Sequence, residues 1–125
     1  MPSTIDHLEL KDGICQFRPR GESSLVEAVD LIGSAIAHCR RERLGKLLVN
    51  ATALVGVRIP SLVDRFLMAE EWAQEANSMV AVALVVHPEY IHPEKFGVVV
   101  AARFGLTLEV DASEINALAW LASVG

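Results

Sequence analysis

Apolar and polar residues alternate at the start of the chain and change to helical spacing soon afterwards. Ile5–Leu10 and Ile14–Phe17 alternate, imperfectly in the first run, in the manner of half-buried strands. Asp12-Gly13 lies between them and favours the positive φ values of a type I′ turn. These features predict an N-terminal β-hairpin.

The next segment has apolar residues at the spacing of an amphipathic helix. Ser24 and Glu27 have the spacing of a capping box, in which each side chain satisfies a free backbone amide at the helix start. The apolar stripe that follows consists of Leu25, Val29, Ile32, Ile36 and Cys39. We expect Gly45 to end this helix in a left-handed cap.

A second helix is predicted to begin near Pro60-Ser61, with either Ser61 or Asp64 as its cap. Its buried stripe should consist of Leu62, Phe66, Ala69, Ala73 and Ala76, widened by Val63, Leu67 and Trp72. Asn50–Pro60, which precedes this helix, is predicted to be a long loop.

Three short apolar runs predict buried strands, at Lys46–Val49, Val80–Val86 and Leu106–Val110. Glu94–Arg103 suits a strand by residue propensity and a helix by spacing, and the flanking Pro93 and Gly105 favour the helix. Asp111 and Glu114 form a second capping-box pattern before a closing helix.

The element order is therefore ββαβαβαβα within a single domain covering residues 1–125. Strands that alternate with helices require right-handed crossovers and parallel pairing, whereas the hairpin adds an antiparallel edge. We predict an α/β fold with a mixed sheet and four helices.

Composition narrows the classes of partner. The 125 residues are 52% hydrophobic and 22% charged, with a net charge of −5. A folded core is thus expected, and the acidic balance opposes nucleic acid as a partner. No apolar run approaches the roughly 20 residues of a membrane span, and no export leader is evident. We expect a cytoplasmic domain with no membrane span.

Four stretches then suggest a family: GKLLVNAT at Gly45–Thr52, AEEWA at Ala69–Ala73, the run Val82–Gly105, and EINALAWL at Glu114–Leu121. With the hairpin, they resemble the SpoIIAA-like branch of the STAS superfamily, which is related to sporulation anti-anti-sigma factors. The resemblance covers about Ile5 to Leu121 and implies a fold of SpoIIAA-like type. It also implies a regulatory or binding role and a bacterial, cytoplasmic protein.

In anti-anti-sigma factors of this superfamily, a strand ends in Asp, and a loop then leads to a phosphorylatable Ser. By resemblance, Asn50 stands at the Asp position and Thr52 at the following small polar position. The family's D-S-S-G stretch is replaced here by Arg58-Ile59-Pro60-Ser61, in which Ser61 is the nearest hydroxyl. Regulation by a serine kinase is therefore not carried over to this chain.

Candidate binding residues gather where parallel strands end, because ligands of open α/β sheets bind beyond the carboxyl ends of the strands. Asn50, Thr52 and His87 fall there, and an anion at the second helix start would have Arg58 or Arg65 beside it. In the alternative interpretation, Asn50 and Thr52 satisfy loop backbone, and both arginines are solvated or paired.

His87 and His92 belong to a repeated His-Pro-Glu sequence, and with two carboxylates they could hold a divalent metal. Two prolines make a single helical ligand face improbable, so a rigid loop is the favoured interpretation. Cys15 and Cys39 lie among strand and helix core positions and have no metal spacing. We predict no catalytic residue, no metal and no cofactor.

Leu54, Val55, Val57 and Ile59 place apolar side chains in the predicted loop. Either they cover the end of the sheet, or they form a patch for a partner. We predict a non-catalytic regulatory or protein-interaction module, in which this loop and the second helix start, including Val57, Ile59 and Ser61, form a homodimer or bind another protein. The alternative is a small-molecule domain for an anionic or lipid-like ligand at the same strand ends. The likeness of this branch to lipid-binding CRAL-TRIO folds favours that alternative.

Overall fold

The computed structural model describes residues 8–124, which form an α/β domain with two small sheets. The strands are β1 (Leu8–Lys11), β2 (Ile14–Phe17), β3 (Arg20–Glu22), β4 (Lys46–Asn50), β5 (Ala53–Val55), β6 (Ala81–Val85) and β7 (Leu108–Asp111). The helices are α1 (Leu25–Arg41), α2 (Leu62–Ala76), α3 (Phe96–Arg103) and α4 (Glu114–Ser123), and a 3₁₀ turn covers Pro88–Tyr90.

The main sheet has the order β1-β2-β4-β6-β7. β1 pairs antiparallel with β2, and the other neighbours are parallel. Asp12 and Gly13 have φ values of 54° and 78°, as the predicted turn requires. The mixed sheet, its antiparallel hairpin edge and the four helices confirm the predicted α/β class. Ile5–His7, the start of the first predicted strand, lie outside the described residues.

Helices cover both faces of the sheet. Leu47, Val49, Val82 and Leu84 belong to the core shared with α1, α2 and α3, whereas the intervening Leu48, Ala83 and Val85 pack against α4. This alternation follows from the period of two along each strand. None of the helices in residues 8–124 is long and apolar enough to cross a membrane.

Two predicted helix starts are confirmed, and one predicted helix end is wrong. Ser24 with Glu27, and Ser61 with Asp64, form complete capping boxes. α1 ends before Gly45, because Arg43 already adopts the left-handed conformation with φ of 60°. Leu44 N then donates to Cys39 O, and Arg43 N donates to Arg40 O, which is the hydrogen-bond pattern of a Schellman cap.

The capping box predicted from Asp111 and Glu114 is also wrong. Ser113 caps α4 and accepts a hydrogen bond from Asn116 N, while Asp111 Oδ1 accepts one from Ser113 N. The Glu114 carboxylate is bound to Arg18 instead. A distant cation has therefore replaced the local amide as its partner.

The helix predicted at Glu94–Arg103 is confirmed, but it begins at Phe96, after Lys95 in the left-handed conformation. Asn50–Pro60 is not a simple loop, because β5 lies within it and pairs in parallel with β3. Each of these two strands has three residues, too few to show a period in the sequence.

The predicted buried stripe of α2 is correct in the second half of the helix and wrong in the first. Ala69, Trp72, Ala73 and Ala76 are buried, whereas Leu62, Val63, Phe66 and Leu67 are exposed. The first half of α2 contributes an aromatic contact: the Phe66 ring packs edge-to-face against Phe104, which follows α3, with the ring centroids 5.5 Å apart.

Candidate functional site

A cavity of about 110 Å³ lies at the carboxyl ends of the central strands, on the face covered by α1 and α2. Its floor is formed by residues of β6 and β7 and the residue after β6: Leu84, Val86, Leu108 and Val110. The floor is apolar because these positions alternate with those that face α4.

The walls of the cavity come from two helices. α1 contributes Leu25, Val29 and Ile32, and α2 contributes Met68, Ala69 and Trp72. Trp72 Nε1 donates a hydrogen bond of 3.1 Å to Val29 O. This bond satisfies the polar atom of the indole and holds its ring between the two helices.

The roof is formed by the chain between β4 and α2. Leu54, Val57 and Pro60 line the cavity, whereas Val55 and Ile59 are exposed. Within this apolar segment, some side chains therefore cover the sheet end, and others remain on the surface.

Three hydrogen bonds from side chains to backbone hold the rim of the cavity. Tyr90 Oη donates to Val57 O, and Arg65 Nη1 donates to Tyr90 O at 3.0 Å. His87 Nε2 lies 3.0 Å from Thr52 O, and it must donate there because a carbonyl only accepts. These contacts join the roof, the 3₁₀ turn and α2.

Arg65 is the cationic residue in the lining of the cavity. Burial lowers the pKa of its guanidinium, and the negative charge of Asp64 opposes this shift. Within residues 8–124, no carboxylate oxygen lies within 4.0 Å of Arg65. The charge nevertheless persists, because an arginine in a protein stays protonated.

Asn50 and Thr52 are brought together, but not as part of the cavity lining. Asn50 Oδ1 accepts hydrogen bonds from Thr52 N at 3.0 Å and Thr52 Oγ1 at 2.6 Å. Asn50 Nδ2 donates to Glu114 Oε1 at 2.9 Å. Both side chains therefore shape the end of β4, and Asn50 satisfies a loop amide there.

The start of α2 already holds an anion from the chain itself. Asp64 accepts hydrogen bonds from Ser61 N at 2.8 Å and from Arg58 Nη1 at 2.6 Å. Arg58 is the main cause that holds the pKa of Asp64 well below its usual range, and Ser61 lowers it further. Of the two predicted anion-binding arginines, Arg58 is thus paired, and Arg65 lines the cavity.

His87 and His92 are not assembled into a metal centre. His92 Nδ1 accepts a hydrogen bond of 3.1 Å from Glu94 N, while His87 binds the backbone of Thr52. In the described part of the chain, no three His, Cys, Asp or Glu side chains come together as metal ligands would.

Two residues of the site were missed by sequence reasoning. Tyr90 is the one tyrosine of the chain, and its hydroxyl anchors the roof. Gly97 of α3 lines the cavity, and a Cβ placed on it would meet no heavy atom within 4 Å outside its own helix backbone. Tyr90 could have been noticed in the sequence, because it is a single tyrosine between two prolines. No sequence pattern pointed to Gly97.

Comparison with known proteins found no match to a protein-family model, to a curated protein or to a solved structure.

Proposed function

We propose that this chain is a non-catalytic binding module whose cavity takes the apolar part of a small ligand. The observation that carries the proposal is the apolar floor, wall and roof that meet at the carboxyl ends of β4, β6 and β7. An open α/β sheet binds ligands at this edge. The alternative of a small-molecule domain is thus better supported than it was at the level of sequence.

The energetics of an apolar cavity favour an occupant. The cavity is partly open to solvent, and its lining is mostly apolar. An apolar ligand that enters it leaves water, which contributes about 25 cal/mol for each Å² of apolar surface buried. Binding would therefore raise the stability of the folded chain.

Membership of the SpoIIAA-like branch and a cytoplasmic location are part of the proposal. The support for membership is the hairpin followed by alternating strands and helices, together with the stretches noted in the sequence. The cytoplasmic location follows from that resemblance. The family's kinase-dependent switching is not included, because Ser61 caps α2 in a loop sequence that differs from the family's pattern.

A second candidate function is protein interaction through a surface that we call the α2 patch, consisting of Ile59, Leu62, Val63, Phe66 and Leu67. These side chains are all exposed, with Val63 at 68% and Phe66 at 42%. The occupant in this proposal is a second copy of the chain, because two copies can pair the same patch about a two-fold axis.

Native mass spectrometry of the purified chain, compared with its denatured mass, separates the two functions. A folded chain that carries a removable adduct supports the binding module. A dimer without extra mass supports self-association through the α2 patch and counts against a resident ligand.

Titration with 1-hexanol tests the cavity directly. Trp72 lines the cavity, whereas Trp120 packs in the core on the opposite sheet face, so the Trp120→Phe variant has one tryptophan that reports on the site. We expect 1-hexanol to change Trp72 emission and raise the melting temperature.

Gly97→Leu should fill the cavity and abolish both responses to 1-hexanol, because Gly97 lines the cavity and has open space around it. The matched control is Ala119→Leu, an exposed position on α4 across the sheet. The proposal is wrong if 1-hexanol leaves both the Trp72 emission and the melting temperature of the Trp120→Phe variant unchanged.

A further inference from the structure

We propose that the ligand is a small monocarboxylic acid, with its carboxylate on Arg65 and its hydrocarbon chain in the cavity. This inference rests on the proposed binding function and adds the chemical class of the ligand. It is carried by the position of a cation in the wall of an otherwise apolar cavity.

Arg65 binds a backbone carbonyl, whereas two other arginines that link separate elements bind carboxylates. Arg18 pairs with Glu114 and Arg40 with Glu75, whereas Arg65 donates to the Tyr90 carbonyl. All three arginines are partly buried. Arg65 thus bears a desolvation cost with a neutral partner in place of a carboxylate.

A guanidinium has five N–H donors, and the bond to Tyr90 O uses one of them. A ligand carboxylate would accept from the others in the two-bond geometry that arginine and carboxylate share. The ligand would thus bring a negative charge close to Arg65, which has no carboxylate oxygen within 4.0 Å among residues 8–124.

The charges around the cavity favour a ligand with one negative charge over a ligand with two. Among residues 8–124, Arg65 is the single Lys or Arg in the cavity lining, and the carboxylate of Asp64 is its sequence neighbour. The other polar side chains of the rim, His87 and Tyr90, are bound to backbone carbonyls. A phosphate ester, with up to two charges, would leave excess negative charge beside an acidic chain of net charge −5.

The size of the cavity limits the hydrocarbon chain. A cavity of 110 Å³ is smaller than the apolar cavity of about 150 Å³ that holds the six carbons of benzene, so it accommodates roughly four carbon atoms. With the carboxylate at Arg65 and a further carbon at the rim, acids of about four to six carbons fit without a change in structure. Hexanoate is therefore the probe of choice.

The experiment compares hexanoate, hexanamide and hexyl phosphate by the emission of Trp72 in the Trp120→Phe variant. We expect hexanoate to bind at least tenfold more tightly than its neutral isostere hexanamide, because a charge-assisted pair is stronger than a neutral hydrogen bond. Hexyl phosphate should bind more weakly than hexanoate.

Arg65→Gln should remove the preference for hexanoate over hexanamide while leaving hexanamide binding within about twofold. Arg58→Gln is the matched control, since Arg58 is also near the start of α2 but is paired with Asp64. It should retain the preference. Melting temperatures of both variants establish that each remains folded.

Equal affinities for hexanoate and hexanamide would overturn the inference and leave the proposed binding function intact. Tighter binding of hexyl phosphate would also overturn it. If the parent binds none of these compounds and does not respond to 1-hexanol, the proposed function itself fails. An unchanged preference in Arg65→Gln would show that the selecting cation lies elsewhere.

Discussion

Arg18 and Glu114 are separated by 96 residues, yet their side chains form a two-bond ion pair. Arg18 Nε donates to Glu114 Oε1 at 3.0 Å, and Nη2 donates to Oε2 at 2.8 Å. Arg18 Nη2 also donates to the buried Gln16, and Asn50 donates to Glu114. The pair thus joins the ends of β2 and β4 to the first residue of α4.

Glu114→Ala should lower the free energy of unfolding by about 1 kcal/mol, because it leaves the donors of Arg18 and Asn50 without this acceptor. Urea denaturation measures the change. Glu9→Ala is the control, since Glu9 lies 3.8 Å from Arg18 with its side chain 76% exposed, and it should change stability by less than about 0.5 kcal/mol. Equal losses in the two variants would contradict the prediction.

The contribution of Glu114 should depend on pH. Its hydrogen bond to Arg18 is the chief cause that lowers the pKa of Glu114, and burial opposes the shift. A lowered carboxyl pKa stabilises the fold above the unfolded pKa of about 4.3, and that stability is lost as the pH falls through the folded value. The stability gap between parent and Glu114→Ala should therefore narrow between pH 7 and pH 3, as measured by urea denaturation.

Glu71→Gln should stabilise the protein at pH 7 by about 0.5 kcal/mol. Burial is the first cause that raises the pKa of Glu71, followed by the negative charges of Asp30 and Glu75. A raised carboxyl pKa means that ionisation opposes folding, so stability is lost as the pH rises from the unfolded to the folded value. The gain should disappear below about pH 4, and Glu89→Gln on the surface should show no comparable gain.

Arg43→Gly should raise the free energy of unfolding by about 0.5–1 kcal/mol, since Arg43 has φ of 60° at the end of α1 and glycine adopts this conformation without a Cβ clash. Thermal unfolding provides the measurement. Arg41→Gly replaces the last helical residue of α1 and should have the opposite effect, because glycine is a poor helix former. A loss of stability in Arg43→Gly would show that the arginine side chain outweighs the backbone effect.

Ile59→Asp and Val63→Asp should weaken any self-association through the α2 patch without unfolding the chain, because both side chains are exposed. Sedimentation velocity measures the association. Val57 was predicted from the sequence to belong to the same interface, but it lines the cavity roof, so Val57→Asp should chiefly impair ligand binding. Unchanged association in Ile59→Asp and Val63→Asp would exclude the patch as the interface.

The elements of this fold were predictable where their causes lie within a few residues. The turn at Asp12-Gly13 and the capping box at Ser24 depend on neighbours along the chain, and both are present. Glu114 was assigned to a local cap because its partner Arg18 is remote. β3 and β5 were missed because three-residue strands acquire their stability from each other.

The sequence placed candidate binding residues at the carboxyl edge of the sheet, and the structure brings only some of them to the cavity at that edge. Of the predicted binding residues, Val57, Arg65 and His87 line the cavity, whereas Asn50, Thr52, Arg58, Ile59 and Ser61 do not. Residue type marked each of them as polar or apolar in a loop. It did not distinguish a side chain that faces the cavity from one that completes a cap.

The sequence by itself determined the α/β class, the hairpin and the alternation of strands with helices. Periodicity, helix caps and turn residues depend on side chains that are only a few residues apart. The tertiary structure alone decided that Trp72 is held by Val29, that Tyr90 holds the roof through Val57, and that Arg65 faces an apolar cavity. These contacts join residues 25 to 43 positions apart. Which side chains meet over such distances depends on how the helices pack on the sheet, and local pattern does not specify that packing.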